Sequence, residues 1–425
     1  HSHHMPDPSN AAAPHKFTRY QSFVVYMLAF LQFAVIVDFM ILSPLGAILI
    51  GDLHISTAQF GMVVSAYAFS AGIAGLLTAG FADRFDRKKL LLFFFTGFIV
   101  GTLLCGMATS YEFLLFARIF TGLFGGVIGS VSFAIIADLF PMNVRGQVMG
   151  TVQTSFSAAQ VLGIPIGLIL SNHWGWHMPF FAIAGIGAVV GIFVFVKLRP
   201  IDAHLKHQTN KHPLKHLWAT ASKPRYLVGF ASTILLATGG FMLMPFGSAF
   251  SVNNLGISLD NLPVVYVSTG LCSMIAGPYL GRLSDRIGKF PLFVIGTLSC
   301  MAMVLWFTRL GITPLWVVVT INILLFITIN ARMVSASALA SGVPELRDRG
   351  AYMSINSSIQ QISVGVAAWI AGTIVYQATP HAPLEHYPML GIVVATAMLI
   401  TLPLMWNVNR MVEDSPAGTP AQQGH

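Results

Sequence analysis

Two charged residues stand out because they fall within segments where water is scarce. Asp38 lies in the middle of the apolar run Phe33–Leu42, and Arg118 opens the stretch Arg118-Ile119-Phe120-Thr121-Gly122. Charges in hydrocarbon are costly, so such residues face a polar cavity, pair with one another or relay protons. Asp38 has no charged neighbour in its own segment. Burial favours the neutral form of a carboxylic acid. An acid held there is suited to binding and releasing a proton near neutral pH; the alternative is a purely structural buried pair. At 1.5 Å per residue from the outer end of its helix, Asp38 sits about 18 Å deep and Arg118 about 9 Å. The long arginine side chain leaves the two within reach of each other.

Neutral polar residues also recur inside apolar runs. Gln153, Ser157 and Gln160 share one helical face, as do Asn356, Gln360 and Ser363. Gln32 lies near Asp38 in sequence, and Asn322, Asn330 and Arg332 occupy a later run. Phe39, Phe156 and Met242 would supply apolar walls. Sparse polar groups between apolar walls suit amphipathic organic molecules. For any one of these residues the alternative is a hydrogen bond between helices. Arg332 either meets an anionic solute or snorkels to the cytoplasmic headgroups.

The elements that hold these residues follow from composition. The chain of 425 residues is 55% hydrophobic and 9% charged, with a mean hydropathy of +0.74. A soluble fold carries about 25% charged residues. Apolar runs of about 20 residues without period-two alternation are membrane helices, not barrel strands. They fall at 23–50, 59–82, 89–108, 112–138, 146–171 and 177–198, then at 225–250, 261–283, 289–309, 314–340, 349–376 and 387–409. We number them spans 1 to 12. The first six form one predicted unit, 23–198, and the last six another, 225–409. A Lys- and His-rich linker, 199–224, joins them and has room for a surface helix. Residues 1–22 read as a tag remnant (His1–His4) and an N-terminal tail starting at Met5, and 410–425 as a C-terminal tail. Pro44 is placed to kink span 1.

The net charge of +8 does not indicate a nucleic-acid partner. With the N-terminus in the cytoplasm, only Arg309 among the 23 Lys and Arg falls outside, and only Arg118 and Arg332 lie within spans. The rest face the anionic inner leaflet, as the positive-inside rule requires. Both termini are then cytoplasmic, and in a bacterial cell the membrane is the inner one. The cysteines Cys105, Cys272 and Cys300 lie in apolar runs without metal-ligand spacing. His173 and His177 have i, i+4 spacing but no third ligand, so no metal is expected. No phosphate loop or nucleophile–base set suggests an enzyme, and no cofactor is expected.

An internal repeat organises the spans. Ala82-Asp83-Arg84-Phe85-Asp86-Arg87-Lys88 follows span 2, and Gly281-Arg282-Leu283-Ser284-Asp285-Arg286-Ile287-Gly288-Lys289 follows span 8. Val144-Arg145-Gly146, then Met149, follows span 4; Asp348-Arg349-Gly350, then Met353, follows span 10. Asp83 and Asp285 are 202 residues apart, and Arg145 and Arg349 are 204 apart. Two landmarks at nearly one offset imply two related six-helix halves.

These motifs resemble those of the major facilitator superfamily. Gly281–Lys289 is similar to its loop signature; the first copy departs from it, with Ala79 at the first glycine and Asp86 at the second. Asp138 and Arg145 resemble its acid-x6-Arg pair. Arg118 to Gly122 resembles its span 4 signature. Gly163-Ile164-Pro165-Ile166-Gly167, followed by Trp174-Gly175-Trp176, resembles a variant of the span 5 antiporter motif of bacterial arabinose- and chloramphenicol-efflux permeases. The resemblance implies an all-α membrane protein of about twelve helices in two pseudo-symmetric six-helix bundles, usually working as a monomer. It implies a proton-coupled efflux antiporter for small organic solutes, with protons as the coupling ion and Asp38 and Arg118 in the coupling site. Asp83, Arg84, Arg87, Asp138, Arg145, Asp285, Arg286 and Arg349 would form cytoplasmic latches. A symporter or uniporter, or a non-transporting receptor, are the alternatives.

Overall fold

The structure, a computed structural model, describes residues 17–78, 84–141, 148, 151–152, 155–203, 205, 213–340, 342–345 and 348–414. It is helical throughout, with one isolated β-bridge, Tyr376 to Glu385, among the described residues. Span 1 begins at Arg19, where Thr18 and Gln21 form a reciprocal capping box that satisfies orphan amides of the first turn. Spans 2, 3, 4 and 6 are Thr57–Thr78, Arg87–Met107, Tyr111–Leu139 and Met178–Lys197. Spans 8, 9, 10, 11 and 12 are Leu262–Ile287, Lys289–Phe307, Leu315–Ala340, Arg349–Ile374 and Tyr387–Glu413. The linker carries a short helix, Pro213–Ala221, with Trp218 exposed.

Among the described residues, eleven helical segments are long and apolar enough to cross a membrane. Span 11 is not among them, because Ser354, Asn356, Ser357, Ser358, Gln360, Gln361 and Ser363 dilute its apolar residues. Those polar residues are tolerated in a helix that packs along span 2 rather than standing free in lipid.

Spans 1, 5 and 7 depart from single regular helices. Span 1 is Arg19–Ile41, a turn holding Pro44, then Gly46–Leu53. Proline has no amide hydrogen and its ring clashes with the carbonyl four residues earlier, so the helix must break there. Span 7 repeats the device: Pro224–Phe241, a tight turn Met244–Phe246 around Pro245, then Gly247–Asn253. Pro44 and Pro245 are 201 residues apart, close to the offset of the loop motifs. Span 5 (Ser155–Trp174) contains a widened π turn, Ala159–Gly163, immediately before Pro165. The extra residue in that turn re-routes the backbone bonds that the proline cannot make.

The packing shows the internal symmetry. Span 2 packs on span 4, span 3 on spans 4 and 6, and span 1 on spans 5 and 6. Span 8 packs on span 10, span 9 on spans 10 and 12, and span 7 on spans 11 and 12. Each pair recurs with its numbers raised by six. The two sets of helices meet through spans 2 and 11, spans 5 and 8, and the broken ends of spans 1 and 7.

At the end away from the termini the two sets are tied together. The Ser248 hydroxyl donates to the Ser43 carbonyl at 2.9 Å and accepts from the Ala47 amide at 3.3 Å. Thr57 donates its hydroxyl to the Val375 carbonyl at 2.6 Å, and the Asn172 amide donates to Leu259 at 2.9 Å. Spans 2 and 11 touch backbone to backbone there: a Cβ on Gly61 would lie 2.7 Å from the Ala368 carbonyl oxygen and 3.0 Å from the Gly372 Cα. Gly61→Leu is therefore expected to lower the unfolding midpoint in detergent, over-packing costing about 1–3 kcal/mol. Thermal denaturation checks this, and an unchanged midpoint contradicts the close approach.

Candidate functional site

Asp38 and Arg118 meet. Arg118 Nη1 donates to Asp38 Oδ2 at 3.2 Å, and Nη2 donates to the Asp38 backbone carbonyl at 3.3 Å. The two side chains are 0% and 1% exposed. The Tyr67 ring of span 2 lies 4.7 Å from the guanidinium carbon, and the Phe180 ring of span 6 lies 6.0 Å away. An aromatic face attracts a cation, and more strongly once water is excluded. Asp38 Oδ1, Arg118 Nε and the Thr102 hydroxyl of span 3 have no hydrogen-bond partner among the described residues.

Glycines explain how the helices come this close. A Cβ on Gly122 would lie 2.5 Å from the Tyr67 carbonyl, and one on Gly126 2.5 Å from the Ala71 Cα, so spans 2 and 4 run in contact. Gly125 leaves room for the Tyr67 hydroxyl, which a Cβ would approach to 2.5 Å. In span 5, a Cβ on Gly163 would strike Val37 at 2.4 Å and one on Gly167 would strike Ile41 at 2.6 Å. The Gly-x-Pro-x-Gly segment thus presses on span 1 on either side of Asp38. On its other side, the Gln160 backbone meets Gly270 of span 8, where a Cβ would lie 3.2 Å from the carbonyl oxygen.

Of the alternatives for Asp38, a polar cavity or a buried pair, the structure has the pair. The pair is sealed inside the first helix set, where Arg118 supplies the counter-charge to the carboxylate. Tyr67 and Phe39 stand on its central side, their rings 5.2 Å apart. Phe39 packs in turn on Ala68, Ala237 and Val364, the last two from spans 7 and 11.

The expectation for Arg332 is corrected. It faces neither a solute nor headgroups but is 1% exposed. Its Nε donates to Thr297 at 3.2 Å and Nη2 donates to Thr401 at 3.0 Å, beside the Phe293 ring. Met242 is buried in the main apolar core, not in a cavity wall. Asn322 is 8% exposed and turns its amide to its own helix, donating to the Val318 carbonyl at 3.0 Å. Gln32 is half-buried opposite Gly129, Gln160 and Asn330 are half-buried, and Phe156 is exposed. Gln153 lies outside the described residues.

Asn356 and Gln360 do line a cavity, of about 220 Å³, between spans 7, 10 and 11 on the side of the termini. The Thr233 hydroxyl, also in its wall, donates to Asn356 Oδ1 at 2.6 Å. The cavity shares Ala237 with the apolar cluster around Phe39.

Of the loop charges, Asp83 and Arg145 lie outside the described residues, as does the Arg349 side chain at the start of span 11. Asp138 pairs with Arg87 at 3.0 Å, linking spans 3 and 4. Arg84, Asp285 and Arg286 are exposed. A network that the sequence did not reveal surrounds Asp348, which accepts from Lys223 at 2.5 Å and from the Tyr226 hydroxyl at 2.8 Å. The His177 ring sits 2.8 Å from the Gly106 carbonyl, in hydrogen-bonding contact. Tyr67, Thr102 and Phe180 were equally silent in sequence, since nothing in their spacing ties them to span 4.

A bundle of apolar helices in two repeated sets, closed at one end around broken helices, is the architecture of a secondary transporter. The sequence matches the Major Facilitator Superfamily over residues 28–368 and again over 229–423. The chain belongs to that superfamily and is a multi-pass membrane protein of a transport family. It is 26% identical over 360 residues to the MFS-type transporter YceJ of Bacillus subtilis (strain 168), covering 84% of this chain and 90% of that one. Its fold is similar to a bacterial homologue of the human lysosomal transporter Spinster, in an inward-facing and unoccupied conformation. That match has a TM-score of 0.77 and 16% identity, and covers 94% of this chain and all of the other. It is also similar to the nucleoside transporter NupG, with a TM-score of 0.71, 13% identity and the same coverage.

Removing one member of a buried ion pair strands the other, at about 3–5 kcal/mol. Asp38→Ala is expected to destabilise the protein by that amount, and Asp38→Ala with Arg118→Leu by clearly less. Denaturation of the single and double variants in detergent checks this, and a double variant weaker than the single contradicts it.

Proposed function

We propose that the protein is a proton-coupled efflux antiporter of small organic compounds, working by alternating access. The observation that carries this is the divided role of the Asp38 carboxylate. Oδ2 is held by Arg118, while among the described residues Oδ1 makes no hydrogen bond and has only the Thr102 hydroxyl beside the carboxylate. A proton can therefore land on Oδ1 without first breaking the bond at Oδ2. Once neutral, the acid holds the guanidinium less strongly, and Arg118 can shift against Tyr67. The Tyr67–Phe39 contact passes that shift to the face shared with spans 7 and 11. About 3–5 kcal/mol, the cost of stranding a buried charge, is enough to move a two-state equilibrium more than a hundredfold.

The two halves, 23–198 and 225–409, would rock about this interface. With both termini in the cytoplasm of a bacterial inner membrane, the closed end faces out and the cavity at Asn356 opens inward. Spans 2 and 8 would carry the latches of the opposite state. Asp285 and Arg286 suit that role because they are exposed at the end that must close. Asp83, Arg84, Arg87, Asp138, Arg145 and Arg349 would complete the charge network. The span 5 motif supports antiport, because its π turn and glycines touch both the Asp38 helix and span 8.

The test is proton flux in proteoliposomes with an interior pH dye and an imposed pH gradient, screened with drugs and sugars. The intact protein is expected to move protons when a transported compound is added, and Asp38→Asn, which keeps the side-chain shape, is expected not to. Compound flux without proton movement in the intact protein would overturn proton coupling. Full proton movement in Asp38→Asn would remove that residue from the coupling role.

A further inference from the structure

The charges that the sequence places inside spans, away from helix ends, are Asp38, Arg118 and Arg332. None of the three lines the cavity between spans 7, 10 and 11. Asp38 and Arg118 neutralise each other inside the first helix set, and Arg332 is held by Thr297 and Thr401 between spans 9, 10 and 12. Among the described residues, the cavity between spans 7, 10 and 11 is lined by neutral groups: Thr233, Ser337, Asn356 and Gln360 with Met333 and Met353. A solute entering with a formal charge would give up water and meet no counter-charge among the described residues of this wall.

The polar groups present also have a direction. The Thr233 hydroxyl has two acceptors in reach, Asn356 Oδ1 at 2.6 Å and the Gly229 carbonyl at 3.2 Å; its single hydrogen goes to the nearer, so Asn356 turns its oxygen to Thr233. Its NH2 group keeps two donors. Such a wall recognises an acceptor oxygen, as in a carbonyl, hydroxyl or ether, beside an apolar body that rests on the methionines.

We infer that the compound recognised in this cavity is uncharged and presents an acceptor oxygen to Asn356. This deepens the transporter reading above and rests on it for the cavity's role. It makes each exchange of a neutral compound for a proton move net charge across the membrane.

The experiment uses the full chain in detergent and matched probes of one shape and three charges. These are phenylacetamide, phenylacetate and phenethylamine, with indole-3-acetamide, indole-3-acetate and tryptamine as a larger set. Binding is read by saturation-transfer NMR. Both amides are expected to bind, and their acid and amine counterparts to bind at least about tenfold more weakly, as the uncompensated charge implies. Asn356→Leu is expected to weaken amide binding about tenfold, as loss of a hydrogen-bond partner implies. Gln360→Leu, at the cavity's exposed edge, serves as a second variant should Asn356→Leu fold poorly, and weaker amide binding is again expected. The inference is overturned if a carboxylate or an amine binds as well as its amide. It is also overturned if neither amide binds, or if amide binding is unchanged in a folded variant. Binding is measured without flux, so failure here leaves the vesicle result on Asp38 untouched, and failure there leaves this one standing.

Discussion

A carboxylate and a guanidinium 3.2 Å apart and closed off from solvent hold each other in place, because either one alone would be an unpaired charge in a low dielectric. That constraint reaches outward through the helices that carry it. Span 4 must lie against span 2 for Tyr67 to cover the cation, and glycines at 122, 125 and 126 allow it. Span 5 must lie against span 1 on both sides of the acid, and Gly163 and Gly167 allow that. The positions without side chains are therefore the counterparts of the two positions with charge.

The same arrangement keeps the buried charges and the cavity apart. The buried ion pair is enclosed in the first helix set, while the cavity at Asn356 lies in the second. Between them stand aromatic rings and small aliphatic residues, a packed medium that transmits displacement rather than charge. Arg332, in the second set, is held by the Thr297 and Thr401 hydroxyls beside the Phe293 ring and does not line that cavity.

Much of the fold was legible because hydrocarbon tolerates few sequences. Span 6 was expected at 177–198 and is Met178–Lys197; span 10 was expected at 314–340 and is Leu315–Ala340. The Pro44 kink was visible, since proline breaks a helix through local geometry alone. The π turn in span 5 was not, because it depends on how the neighbouring helices pack. The depth of Asp38 and Arg118 could be counted along their helices, so their proximity was within reach of the sequence. The sides on which Arg332, Met242 and Asn322 lie were not. A helix that is apolar nearly all round gives no pattern to say which face meets a cavity and which meets its neighbours. Tyr67 and Asp348 were missed for a related reason, since their partners are distant in sequence.

The seam at the end away from the termini joins the two sets through Ser43, Ala47, Thr57, Asn172 and Ser248, and through glycines at 61 and 372. None of these groups carries a formal charge. Salt screens interactions between charges, and it does little to neutral hydrogen bonds and close packing. The strength of that seam is therefore indifferent to the ionic strength of the medium it faces. Its hydrogen bonds and close contacts keep the same strength in dilute and in briny water.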